Sequence, residues 1–202
     1  METSYKGRNS LFPARGKRGQ AFPFYKELGR RREMSVSFLR GLFGQKQDPL
    51  LERVGNLVQA AHINAVGMFT PLLDRFLVLK EANVEHWDFV LTIAGVFMAA
   101  TRLNNLRIGD VREKKLMEII AKDIAERYPD GIQGFEDCKG LFESEFDRLT
   151  AAGHESRFIT SDAVGTWIVW NVLGKSPQTK EECMLVRATG GMVTHSFFDW
   201  WK

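Results

Sequence analysis

The sequence predicts an all-α fold: a compact bundle of about six helices over residues 34–202, preceded by a basic, largely irregular extension over residues 1–33. Three observations lead there. Downstream of Met34, apolar residues recur with a period near 3.6, which gives each segment one apolar side. Asp, Asn, Pro and Gly punctuate the segment ends where helix caps and stops belong. Period-two alternation, the mark of a half-buried strand, is scarce. With 202 residues and 44% hydrophobic content, the chain is long enough for one ordinary core.

"QDPLLERVGNLVQAAHINAVGMF" opens on Asp48 as N-cap and Pro49 at the first helical position. Leu51, Val54, Val58, Ala65, Phe69, Leu72 and Phe76 then share one arc, and Pro71 is expected to kink or split this helix. A second helix is predicted from about 84 to 104, capped by Asn83 and apolar around most of its girth, which places it at the centre of the domain. In "GDVREKKLMEIIAKDIAERYPDG", Asp110 caps with Glu113 three residues on. Leu116, Ile120 and Ile124 form a stripe, and Pro129-Asp130-Gly131 stops the helix. Phe135, Cys138, Phe142, Phe146 and Leu149 line one side of a fourth helix. Ser161 or Asp162 is expected to cap a fifth that ends at Gly174, and Ser176-Pro177 to start a last one.

That last helix runs into "THSFFDWWK". On a wheel from 178 to 201, Cys183, Val186, Gly190, Val193, Phe197, Trp200 and Trp201 share an arc about 100° wide. Two readings follow. The terminal rings clamp the helix to the body, or Phe198, Trp200 and Trp201 meet a protein partner or a second copy. Phe198 lies off the stripe and is the better placed of the three for an external contact. Gly190-Gly191 in mid-helix either weakens it or lets another backbone come close.

Charge is unevenly placed. Residues 1–33 hold nine of the 28 Lys/Arg and three of the 25 Asp/Glu, leaving 19 basic against 22 acidic residues in the remainder. Arg8, Arg15, Lys17, Arg18, Arg30, Arg31 and Arg32 are interleaved with Tyr5, Phe12, Phe22, Phe24 and Tyr25. Arginine contacts phosphate and rings stack on unpaired bases, so the arm suits single-stranded nucleic acid. Three readings compete with that one: a solvated tail, an organelle transit peptide opposed by Glu2, Glu27 and Glu33, and a start-site artefact. In the last, "GRRRE" is a purine-rich ribosome-binding segment read through in frame, and translation begins at Met34 rather than Met1. "SVSFLRGLFGQK" at 35–46 gathers Phe38, Leu39, Leu42 and Phe43; it either attaches to a membrane surface or, as its shortness and few charges favour, docks on the bundle.

Residues that carry chemistry are sparse. His62 falls inside the apolar arc of the first body helix, where it is either a neutral core histidine with one hydrogen bond or a ligand to haem or metal. A hairpin turning near residue 81 sets His62 and His86 about 14 residues, or about 20 Å, apart along the axis. His195 and Asp199 are four apart and expected on the solvated face; His154 lies in a polar loop. Cys138 and Cys183 both fall on apolar arcs, as buried structural thiols do. No Glu-x-x-His, P-loop, dinucleotide fingerprint or Gly-x-Ser-x-Gly occurs. The most apolar stretch, 89–100, is too short to span a membrane. These features favour a cytoplasmic, non-enzymatic helical binding or assembly subunit with no cofactor. Its basic arm contacts an acidic partner, with nucleic acid as the leading candidate. The alternative is a helical-bundle enzyme or cofactor carrier built around His62.

Overall fold

The computed structural model describes residues 48–202 and shows, among them, six α-helices and no β-strand. In chain order these are α1 (Pro49–Arg75), α2 (Val84–Ala100), α3 (Asp110–Arg127), α4 (Gly131–Ala151), α5 (Ser156–Leu173) and α6 (Lys180–Phe197). Short 3-10 turns lie at Leu77–Glu81 and Leu103–Leu106. The basic arm and the 35–46 segment fall outside the described residues.

The nearly all-apolar helix is the central one. In α2, 11 of 17 residues are buried, running from Trp87 to Ala99, and every other helix packs against it. Each large side chain it hides from water contributes about 1.5–3 kcal/mol. Buried rings keep their polar atoms satisfied: the Trp87 indole N–H donates to the Ala65 carbonyl of α1 at 2.9 Å. Among the described residues no helix is long and apolar enough to cross a membrane.

Helix starts follow the capping chemistry in part. Asp48 accepts from the Leu50 amide, and Asn83 from those of Glu85 and His86. Gly174, at φ 67°, closes α5 in the left-handed conformation that glycine adopts without a Cβ penalty. Pro71 does not split α1, which is continuous to Arg75; only one turn follows the proline, and the Phe76 amide closes it on the Leu72 carbonyl. Four expectations need correcting. The second helix stops at Ala100 rather than about 104, giving way to the 3-10 turn. Asp110 does not cap α3 but is its first residue; the cap is Gly109 at φ 85°. The fifth helix starts at Ser156, so Ser161 and Asp162 lie inside it and are buried. The last helix begins at Lys180, after Thr179, and leaves Ser176-Pro177 in the connector.

Pairing of α5 with α6 depends on glycine. A Cβ added at Gly165 would collide with the Val186 carbonyl, and one at Gly190 with the Ser161 carbonyl. The two backbones therefore sit closer than side chains would permit. Asp162 of α5 receives Arg187 of α6 at 3.0 Å, and the Arg187 guanidinium also lies 5.0 Å from the centroid of the Phe158 ring.

At the start of α6, Thr179 and Glu182 form a capping box. The Glu182 carboxylate accepts from the Gln178 and Thr179 amides at 2.8 Å and pairs with Lys175. Lys175, then the two amides, hold its pKa down from 4.5 to about 2. A depressed carboxylate stabilises the fold above its unfolded value and loses that contribution as the pH falls through its folded one. Thermal stability is expected to decline between pH 4.5 and about 2, with Glu182→Gln removing part of that decline. Melting curves of both proteins across that range measure it.

Candidate functional site

The end of α3 brings the strongest cluster of polar side chains into contact with α1 and α2. Each position has a local cause. His62 lies one turn after Val58 on the inward side of α1. Thr92 is in the buried stretch of α2, and Arg127-Tyr128 is where α3 terminates ahead of Pro129. His62 Nδ1 lies 3.1 Å from the Tyr128 hydroxyl, which lies 3.2 Å from Thr92 Oγ1; Thr92 donates to the Asp88 carbonyl at 2.6 Å. Alongside, Arg127 donates to Gln59 Oε1 at 3.2 Å. Two buried atoms, Asp88 Oδ1 and Arg127 Nε, have no hydrogen-bond partner.

Electrostatics in the cluster oppose charging. Burial, then the neighbouring Arg127, pushes the His62 pKa below its ordinary 6.5. Burial raises that of Asp88, with Arg127 pulling the other way and Glu85 adding to the rise. The core-histidine reading of His62 therefore fits its geometry: a half-buried ring, one hydrogen bond, neutrality favoured. Among the described residues no three His, Cys, Asp or Glu gather as a metal site would require.

His86 is closer to this cluster than the hairpin estimate allowed. Its Nε2 donates to the Asn171 carbonyl at 3.0 Å, and its ring stacks on Phe89 at 6.1 Å. Phe89 in turn meets Tyr128 edge-on at 5.3 Å. The estimate failed because the chain turns back about residues 76–78 rather than near 81, so the register is shorter. Ala61 abuts Gly95 and Ala65 bonds Trp87, which puts His62 beside Thr92 rather than beside residue 100. Two aromatic rings still separate the imidazoles.

The terminal aromatics divide three ways. Trp201 is buried at 6% exposure and its indole N–H donates to the Ala99 carbonyl at 2.7 Å. Phe198 is half-buried under the Arg102 guanidinium, 3.8 Å from its ring centroid. Trp200 is half-buried as well, its indole donating to the Arg53 carbonyl at 3.3 Å. It lines an open groove of about 600 Å³ with Pro49, Glu52, Asn56 and Asp199. The clamp is therefore present, and Trp200 keeps a face toward the groove.

Other expected positions fall out as follows. Cys138 is fully buried and its thiol is pushed well up by that burial, but Cys183 is exposed, which corrects the reading of both as buried. Cys183 sits at the edge of the arc in the first turn of α6, where nothing covers it. His195 and His154 are exposed, and Asp199 pairs with Lys202 at 2.7 Å rather than with His195. Arg8, Arg15, Lys17, Arg18, Arg30, Arg31 and Arg32 lie outside the described residues. Sequence reasoning missed Tyr128 altogether. The available signal was an aromatic hydroxyl at a helix end, one residue before a proline that fixes where the chain turns. No protein-family model matches the chain, and neither curated proteins nor solved structures yield a significant match.

Proposed function

We propose that this protein is a non-enzymatic helical binding subunit. Its arm, residues 1–33, grips an acidic partner whose chemistry is that of single-stranded nucleic acid. The body offers Trp200 and its groove to a protein partner. The observation that carries the reading is the density of the arm, nine Lys/Arg among five aromatic rings in 33 residues. Cations neutralise phosphates and release counterions, while rings stack on unpaired bases without regard to sequence. Apolar side chains left on the body, Ile63 at 61% and Trp170 at 44% exposure, are compatible with further protein contacts.

Affinity for a single-stranded RNA is expected to fall by about 300-fold between 50 and 200 mM salt if about six phosphates are contacted. Replacing Arg15, Lys17, Arg18, Arg30, Arg31 and Arg32 by Gln in the full chain should flatten the salt slope by about 0.7 for each phosphate no longer neutralised. Fluorescence anisotropy at the two salt concentrations measures both. Unchanged affinity and slope in the substituted protein would remove the arm from the function.

A further inference from the structure

The hydrogen bonds of the α3 end run in one direction only. A carbonyl oxygen accepts and never donates, so the Thr92 hydroxyl hydrogen is committed to the Asp88 carbonyl. Thr92 Oγ1 must then accept, which commits the Tyr128 hydroxyl hydrogen to it. The Tyr128 oxygen is left to accept from His62 Nδ1, which therefore carries the hydrogen in the neutral ring. Nε2 is left as the lone-pair nitrogen. A proton arriving at low pH lands on Nε2 without breaking any member of the chain, and the cation forms in place.

The surroundings of that cation are unfavourable. From α3 it faces Arg127, whose Nε is buried without a partner, and the uncharged Tyr128 hydroxyl. On α1 its neighbour one turn back is the neutral Gln59, already engaged by Arg127. The carboxylates of the packed elements, Asp88 and Glu85 on α2 and Asp123 on α3, act in the opposite sense, but burial and Arg127 outweigh them. We infer that His62 is a pH-responsive latch: neutral, it ties α1 to the end of α3 through Tyr128, and charged, it sets a second cation beside Arg127 and loosens that seam. Burial and Arg127 both disfavour the proton in the closed state, so the open state takes it up more readily. The latch is closed above pH 6.5 and weakens as the pH falls below it, until the lowered closed-state value is passed.

Two measurements on the intact protein test this. Nitrogen-15 NMR of the imidazole ring should show hydrogen on Nδ1 and none on Nε2 at pH 7.5, with titration below 6.5. Hydrogen exchange should show the Tyr128 amide, which bonds the Ile124 carbonyl at 2.8 Å, losing protection beyond the intrinsic pH effect, by up to about tenfold per pH unit below 6.5. In His62→Gln, which cannot charge, that extra loss should vanish. In Tyr128→Phe, which keeps the ring but removes the acceptor, hydrogen should shift toward Nε2. A wild-type ring with hydrogen on Nε2, titration at or above 6.5, or the same exchange profile in His62→Gln would each overturn the latch.

Discussion

Gly190→Ala is expected to destabilise the protein by about 2–3 kcal/mol net, lowering the melting temperature by roughly 5–10 °C. Alanine is the better helix former by about 1 kcal/mol, so intrinsic preference alone predicts the opposite sign. The reversal comes from what the new methyl meets, the backbone carbonyl of Ser161, which no side-chain rotation can move aside. Separation of α5 from α6 would also disturb the Arg187–Asp162 pair. The neighbouring glycine supplies the control. A Cβ at Gly191 meets nothing within 4 Å, so Gly191→Ala should raise stability by about 0.5–1 kcal/mol. Denaturant unfolding of the two variants side by side decides the matter. Equal losses in both would mean that general helix properties, rather than a close crossing at Gly190, govern the site.

Trp201→Ala should cost about 3–5 kcal/mol, the range for removing a buried large ring. Its indole is nearly enclosed and bonds the Ala99 carbonyl at the end of the central helix. Trp201→Phe keeps most of the apolar area and forfeits the N–H. The Ala99 carbonyl also accepts from the Arg102 amide, so the loss there should be nearer about 1 kcal/mol. Lys202→Ala, one position later and exposed, should stay within about 0.5 kcal/mol. Chemical denaturation of the three variants separates a clamp from a frayed end. A Trp201→Ala protein as stable as Lys202→Ala would show that the terminal ring contributes nothing.

The parts of the fold that could be read in advance are those decided by neighbours in the chain. Asp48, Asn83 and Gly174 act on amides and dihedrals within a turn of themselves, and each does what its chemistry suggests. The central position of α2 was legible because a helix apolar on all sides has no solvent face to offer. What failed depends on distant partners. Asp162 resembled a cap because a buried carboxylate in mid-helix makes sense only beside Arg187, 25 residues away. Glu155, the residue that does precede α5, makes no side-chain capping bond and left no signal. Of the α3-end cluster only His62 stood out, since its link to Tyr128 spans 66 positions. Gly190 and Gly191 were indistinguishable by sequence; only the neighbouring helix tells one from the other.

Because α2 is the hub, the order in which its walls are supplied matters. Its apolar girth is complete by Ala100, yet the rings that finish enclosing it, Phe197 against Gly95 and Trp201 against Ala99, arrive at the far end, the latter 102 positions downstream. Closing so large a loop must precede the reward of making the contact. A nascent chain therefore carries its greasiest surface half-roofed for about another hundred residues of synthesis, and that interval is when it is most exposed to aggregation and to chaperones.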